Sequence, residues 1–118
     1  DLPKALNFYD QLTAALGAGK IFDHPSGGRV YGVAADKPMF GVVPPFDGNA
    51  ATAGNGTMIA LQCESHAQIA SVYAKALELG AVSEGEPGWR GPEGGFYGCY
   101  FRDLDGNKLS AFRVGPEA

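Results

Sequence analysis

The stretch Tyr97-Gly-Cys-Tyr-Phe-Arg-Asp103-Leu-Asp105-Gly106-Asn107-Lys-Leu-Ser-Ala-Phe112 decides the fold of this chain. Apolar and aromatic runs flank a short polar turn, in which Gly106 and Asn107 tolerate the positive φ angles of tight hairpins. The stretch therefore predicts two β-strands joined by a turn. The turn has an acidic spacing like that of a calcium loop, but it lacks the bidentate Glu of an EF-hand, so we interpret it as a turn only.

A second pattern occurs twice along the chain. Residues 5–18 and 69–81 both carry apolar side chains at helical spacing, and both end in Leu-Gly-Ala. Gly17 and Gly80 suit the left-handed position that closes a helix. Ser65 begins a capping-box pattern ahead of the second helix. The repetition predicts two similar half-domains, each built around one amphipathic helix.

Short strands are predicted around each helix. In the first half they cover residues 20–23, 29–35 and 38–43, and in the second half residues 57–63, 81–85, 96–103 and 108–114. The second half thus reads β-α-β-β-β, and the first half α-β-β-β, so we expect its opening strand to precede Asp1. We predict one structural domain with a first module over 1–47, a linker over 48–56 and a second module over 57–118.

Composition limits the classes of partner. The chain has 118 residues and a net charge of −4, and its nine Lys and Arg residues are scattered singly. Nucleic acids require a clustered cationic surface, so we expect no nucleic-acid partner. We also expect no membrane association, because no apolar run is long enough to span a bilayer. Cys63 and Cys99 lie far apart in sequence, which favours a reduced pair in a cytoplasmic protein.

These motifs together resemble the vicinal oxygen chelate superfamily, which includes glyoxalase I, extradiol dioxygenases and bleomycin-resistance proteins. The resemblance rests on residues 1–9, residues 58–61, the helix ending at Gly80 and the final hairpin. It implies an α+β fold in which two βαβββ modules form a curved mixed sheet around a central cavity. It also implies a homodimer.

The resemblance further implies four metal-ligand positions, usually His and Glu, of which the first would lie on the strand before Asp1. The other three correspond to Gly41, Met58 and Ser110. Glycine has no donor, a thioether suits Cu(I), and a serine hydroxyl is a poor ligand for Ni, Zn, Fe or Mn. We therefore predict no metal and no other cofactor.

A ligand cavity lined by aromatic groups is the remaining expectation. Strand alternation places Lys108, Ser110 and Phe112 on one face, and the resemblance turns Ser110 towards the cavity. Loop 87–95 is rich in glycine and is a candidate lid. Either face of strand 96–103 could line the cavity, and its aromatic residues could equally belong to the core. The predicted ligand-binding residues are Phe40, Met58, Trp89, Tyr97, Phe101, Lys108, Ser110 and Phe112.

Two functional hypotheses follow. The first is a metal-free protein that binds an aromatic or antibiotic-like small molecule. The alternative is a lyase, isomerase or dioxygenase with relocated residues, such as Tyr97, Lys108 or His24. We expect His24 and His66 to be solvated surface residues, because neither has a partner visible in the sequence.

Overall fold

The computed structural model describes residues 1–117, and the chain divides into two compact units, Asp1–Thr52 and Ala53–Ala118. Each unit contains one helix and one sheet. No helix within residues 1–117 combines the length and the apolar character needed to cross a membrane. The α+β fold class predicted from the sequence is confirmed.

The first unit consists of helix α1 (Leu2–Ala15) and strands β1 (Gly19–Asp23), β2 (Arg29–Gly32) and β3 (Met39–Val42). The strands form an antiparallel sheet in the order β1-β2-β3. Its core joins apolar side chains of α1, among them Phe8 and Leu12, to Tyr31 of β2, all of which are buried.

The second unit consists of β4 (Met58–Gln62), helix α2 (His66–Glu78), β5 (Val82–Trp89), β6 (Phe96–Arg102) and β7 (Lys108–Val114). Its sheet has the order β4-β7-β6-β5. β4 runs parallel to β7, and the other pairs are antiparallel, so the sheet is mixed. Ile69 and Val72 of α2 are fully buried, as is Phe101 of β6.

The predicted hairpin forms between β6 and β7, and Asp103 closes its turn. One carboxylate oxygen accepts hydrogen bonds from the backbone N–H groups of Asp105 and Asn107, both at 2.9 Å. The other oxygen accepts one from the Asn107 side-chain amide at 3.0 Å. Gly106 has a φ of 87°. The Asp103 carboxylate thus makes turn-stabilising hydrogen bonds, which agrees with interpreting the motif as a turn.

The element boundaries differ from the predicted ones by more than one residue in two places. β2 ends at Gly32, short of the predicted residue 35. β5 continues to Trp89, whereas the sequence predicted a strand over 81–85 and a loop over 87–95. The register shifts between Ser83 and Gly85 and again between Gly85 and Gly88. These irregularities let β5 continue through glycine-rich sequence that favours a loop by composition.

Candidate functional site

The second sheet has two faces, which we call the helix face and the far face. On the helix face, Tyr97 stacks on His66 at the start of α2, with ring centroids 3.6 Å apart. Cys99 and Phe101 lie on the same face by alternation, and both are 0% exposed. The far face is the opposite side of the sheet, and the remaining residues of β6 point towards it.

Strand register identifies the residues of the far face, because directly paired residues lie on the same side of a sheet. Tyr100 pairs with both Gly85 and Ser110, and Ser110 pairs with Ala60. These four residues form one row across the sheet. The two flanking rows contain Val82, Arg102, Lys108 and Met58 on one side, and Gly88, Gly98, Phe112 and Gln62 on the other.

Ser110 lies in the middle row of the far face. Its side chain is 0% exposed, and its Oγ has no hydrogen-bond partner among the described residues. A buried hydroxyl without a partner costs roughly 1–3 kcal/mol, and most buried polar groups in proteins are satisfied. The far face therefore contains a buried hydroxyl that no residue within 1–117 satisfies.

Charged side chains surround Tyr100 on this face. The Arg90 guanidinium carbon and the Lys108 ammonium nitrogen each lie 5.3 Å from the centre of the Tyr100 ring. Glu84 accepts a hydrogen bond from Arg102 Nε at 2.8 Å and lies 3.6 Å from Lys108 Nζ. Arg102 and Lys108 thus share one carboxylate, and Arg90 lies over the Tyr100 ring.

An aromatic pair and a glycine floor complete the far face. The rings of Phe96 and Phe112 stack with centroids 5.3 Å apart. Beside them, Gly85, Gly88 and Gly98 carry no side chains, and neighbouring side chains fill the space that their Cβ atoms would occupy. Arg90 lies over Gly85 and Gly88, and Phe96 lies over Gly98. Glycine inside a strand often marks such a close approach of another group to the backbone.

The structure brings together four of the predicted site residues, namely Met58, Lys108, Ser110 and Phe112, all on the far face. It separates Tyr97 and Phe101 from them, since these two lie on the helix face. The sequence left open which face of strand 96–103 lines the cavity, and the register places Tyr97 and Phe101 on the face opposite to Ser110. Alternation divides β6 into two faces but does not say which one the helix covers, and that depends on packing with α2.

Trp89 and Phe40 also differ from the prediction. Trp89 ends β5, and its ring meets His66 and Tyr97 edge-on at 5.1 and 5.2 Å, so it belongs to the helix face. Phe40 belongs to the first unit, where its ring contacts Tyr9 at 5.7 Å and Tyr31 at 5.6 Å. Phe40 therefore packs between α1 and its own sheet, and the prediction that it lines a cavity is wrong.

Sequence reasoning missed Tyr100, Arg90 and Glu84, although one signal could have found the first. The turn is closed by a hydrogen bond from Asp103 N to Asn107 O at 2.9 Å. Counting outward from this pair places Tyr100 opposite Ser110. Arg90 and Glu84 reach the site through the irregular register of β5, which the sequence does not show.

The two histidines have structural roles. His24 lies in an exposed turn, where its Nδ1 accepts a hydrogen bond from Ser26 N and lies 2.7 Å from Ser26 Oγ. His66 is not the solvated residue expected, since it stacks on Tyr97 and its Nε2 is buried. Its Nδ1 lies 3.8 Å from Glu117.

The metal site implied by the resemblance does not fit the residues present. Met58 and Ser110 lie on the far face, where they offer a thioether and a hydroxyl, and Gly41 offers no side chain. Met58 is paired with Lys108, whose ammonium group opposes a divalent cation. No three His, Cys, Asp or Glu side chains within residues 1–117 converge on a point that could hold a metal ion.

Neither cysteine is an activated nucleophile. Burial raises the pKa of Cys63 to about 11, with a smaller contribution from Cys99, and burial raises the pKa of Cys99 as well. Both thiols are therefore protonated near neutral pH. Both are also free of disulfide bonds.

The first unit has a polar cluster of its own, under helix α1. The hydroxyl of Tyr31 donates to Asp10 at 2.7 Å, and Asp10 also accepts a hydrogen bond from Arg29. Asp10, Lys20 and Arg29 line an open depression of about 350 Å³. Because Lys20 and Arg29 are each paired with a carboxylate, we interpret this cluster as structural.

Comparison with known proteins gave matches among solved structures. A scan against protein-family models and a search of curated proteins found no match. A glyoxalase/bleomycin resistance protein from Albidiferax ferrireducens T118 is 32% identical, with a TM-score of 0.81 over 95% of this chain and 88% of that one.

Two further matches show the fold alone. One is a glyoxalase/bleomycin resistance protein/dioxygenase family enzyme from Burkholderia phytofirmans PsJN, at 16% identity and a TM-score of 0.70 over 97% of this chain and 91% of that one. The other is a glyoxalase-related enzyme from Fulvimarina pelagi. It is 16% identical, with a TM-score of 0.67 over 100% of this chain and 89% of that one. The identity to the Albidiferax protein extends the likeness from fold to family. The chain belongs to the glyoxalase/bleomycin resistance family of the vicinal oxygen chelate superfamily.

Proposed function

We propose that this chain binds a small aromatic molecule on the far face of its second sheet without using a metal ion. The observation that carries the proposal is the buried, unpartnered hydroxyl of Ser110 in the middle of that face. A protein that keeps an unsatisfied hydroxyl loses stability, so the group is better explained by a partner that arrives with the ligand and displaces the side chains that cover Ser110. The Phe96–Phe112 pair provides the matching apolar surface.

The enzymatic alternative has less support from the geometry. Of its candidate residues, Tyr97 packs against His66 on the helix face, and His24 is held in a surface turn. Lys108 alone lies on the far face, where it is 3.6 Å from Glu84. The expected homodimer and cytoplasmic location stay predictions from the sequence.

The test is a fragment screen by two-dimensional NMR, in which small aromatic compounds are added to the isotope-labelled chain. We expect some of them to shift the amide signals of β6 and β7 saturably. Ser110→Ala should weaken their binding by up to about tenfold, as expected for one hydrogen bond. The same substitution should leave the free energy of unfolding unchanged or slightly raise it.

Ser83→Ala is the matched control. The Ser83 hydroxyl is 2.7 Å from the hydroxyl of Tyr73, and Ser83 pairs with Phe101 on the helix face. Its loss should reduce stability by roughly 1 kcal/mol and leave fragment binding unchanged. A screen without shifts on β6 and β7 would contradict the proposal, as would a Ser110→Ala variant that loses as much stability as Ser83→Ala.

Turnover and metal content separate the two hypotheses. We expect the purified chain to leave a catechol and a glutathione thiohemiacetal unchanged, and to contain no stoichiometric transition metal by elemental analysis. One metal ion per chain, or product formation that depends on Lys108, would favour the enzymatic alternative.

A further inference from the structure

The charge on the far face is opposite to that of the chain. The chain carries a formal charge of −4, yet Arg102 and Lys108 share a single carboxylate, Glu84, and Arg90 lies over the Tyr100 ring on the same face. One carboxylate cannot neutralise three cations. The far face therefore has a local excess of positive charge beside the unpartnered Ser110 hydroxyl.

Arg90 supplies one of the two excess positive charges. Its guanidinium donates a hydrogen bond to the backbone oxygen of Glu86 at 2.6 Å, and it makes no ion pair within the described part of the chain. A backbone carbonyl leaves the guanidinium with a full unit of charge and with further N–H donors. The charge is held over the Tyr100 ring, above Gly85 and Gly88.

Two glycines make room for this guanidinium. A Cβ atom at Gly85 would lie 2.9 Å from Arg90 Nη2, and a Cβ at Gly88 would lie 3.1 Å from Nη1. A Cβ atom at Gly85 would therefore force the guanidinium to move, and one at Gly88 would displace it slightly. The location of the charge thus depends on these two glycines.

We propose that the ligand of the far face carries a carboxylate beside its aromatic ring, a statement that rests on the function proposed above. Arg90 and Lys108 attract the carboxylate, and the Ser110 hydroxyl donates a hydrogen bond to it. A charge-assisted hydrogen bond is about twice as strong as a neutral one, and a guanidinium suits the planar shape of a carboxylate. The ring of the ligand packs against the Phe96–Phe112 pair.

A cationic ligand fits this face poorly. The face of Tyr100 attracts cations, but Arg90 and Lys108 already lie 5.3 Å from its centre. A ligand ammonium group would meet their charges in addition. The far face therefore discriminates by charge, in favour of acids and against amines.

The test compares benzoate, benzamide and benzylamine, which share a ring and differ in charge, by NMR titration of the full chain at low and high salt. We expect benzoate to bind at least about tenfold more tightly than benzamide, and benzylamine to bind least well. Salt should weaken the binding of benzoate only.

Arg90→Gln and Gly88→Ala test the origin of the preference. Arg90→Gln should reduce the advantage of benzoate over benzamide by about fivefold or more, and Gly88→Ala should reduce it by displacing the guanidinium. Lys75→Gln removes the same charge from α2, where Lys75 pairs with Glu78 at 3.0 Å, and should leave all three affinities unchanged.

The outcomes distinguish the two proposals. Benzamide or benzylamine binding as tightly as benzoate on β6 and β7 would overturn the acidic ligand and leave the binding function standing. An advantage for benzoate that survives Arg90→Gln, or that falls equally in Lys75→Gln, would also overturn it. If other aromatic fragments bind the far face and benzoate does not, only the acidic ligand fails, whereas the absence of any binding there overturns both.

Discussion

The two units of this chain repeat one pattern of helix and strands but place their polar groups on opposite faces of the sheet. In the first unit the polar cluster of Asp10, Arg29 and Tyr31 lies on the side covered by α1. In the second unit the side covered by α2 is apolar and aromatic. Its charged side chains lie on the far face, around Tyr100.

The side of the first sheet that faces away from α1 is apolar, in contrast to the charged far face of the second sheet. Register places Gly32 and Gly41 there, together with the apolar residues Phe22, Val30 and Met39. A ligand that needs a charged or hydroxyl partner has none among those five residues. The comparison teaches that the repeated scaffold fixes two faces in each unit, and that the residues at alternating positions decide which face carries chemistry.

The largest expected effect tests the apolar helix face of the second unit. Phe101 is 0% exposed beneath α2, so Phe101→Ala should reduce the free energy of unfolding by about 3–5 kcal/mol. Phe112→Ala, on the far face, should cost less stability and weaken ligand binding. Urea unfolding and the NMR titration measure the two quantities. A stable Phe101→Ala chain that has lost only ligand binding would contradict the assignment of faces.

High pH should destabilise both units through different buried groups. Burial raises the pKa of Cys63 to about 11, and burial followed by the hydrogen bond to Asp10 raises that of Tyr31. A raised pKa means that the folded state holds its proton longer than the unfolded state. The resulting stability is present below the ordinary thiol pKa of 9.0 and is lost as pH rises towards 11.

The loss attributable to Cys63 should reach at most about 3 kcal/mol, and it should be visible in urea unfolding compared between about pH 8 and pH 10. Cys63→Ala should reduce the decline, and the part that remains should come from Cys99 and from Tyr31 above its ordinary pKa of 10.0. If the original chain and Cys63→Ala lost equal stability over this pH range, the Cys63 thiol would not titrate with unfolding.

A pair of tyrosine substitutions sharpens the contrast between the helix faces. Tyr31→Phe removes a hydroxyl that donates to the Asp10 carboxylate, and should cost about 2 kcal/mol. Tyr97→Phe keeps the ring that stacks on His66 and should cost less than about 0.5 kcal/mol. Unfolding curves of both variants check the difference. Equal losses would mean that the polar cluster contributes nothing particular to the first unit.

Helix capping is a feature that the two units share. The side chain of Ser65 accepts a hydrogen bond from Gln68 N at 3.0 Å, as Asp1 does from Lys4 N at 3.2 Å. Ser65→Ala should therefore cost about 1 kcal/mol, measured by thermal unfolding, and Ser65→Asp should retain most of the stability. If Ser65→Ala left the stability unchanged, α2 would depend on packing alone.

The smallest expected effect concerns the surface ion pair Lys20–Asp23 of the first unit. Both side chains are largely exposed and lie 3.2 Å apart, so Lys20→Gln should change stability by less than about 0.5 kcal/mol. Urea unfolding at low and high salt measures this change. A larger, salt-dependent loss would mean that Lys20 supports the Asp10 cluster more strongly than its exposure suggests.

The sequence predicted the hairpin and the helix ends because both depend on local chemistry. Gly17 and Gly80 close the two helices with φ angles of 71° and 103°, and Asp103 closes the hairpin turn with its own carboxylate. The sequence also predicted that the implied metal-ligand positions are unsuitable, since this depends only on the identity of the residues there. Met58 and Ser110 lie on the far face, as the resemblance implies, without being good ligands.

Half of the predicted binding residues do not lie on the far face of the second sheet. Tyr97 and Phe101 alternate correctly with Tyr100, but alternation is symmetric, and only the packing of α2 distinguishes the two faces. Trp89 was assigned to a loop because glycine and proline surround it, yet pairing with Tyr97 draws it into β5. Phe40 packs against Tyr9 of α1, which is a contact between distant parts of the sequence.

The sequence by itself determined the elements, their order, the family resemblance and the unsuitability of three implied metal positions, because each of these depends on residue type or on neighbours along the chain. The tertiary structure alone decided that Arg90 and Lys108 meet at Tyr100, and that Ser110 is buried without a partner. These features arise where β4, β5, β6 and β7 are paired in one sheet, and strand register is set by long-range packing that no local pattern encodes.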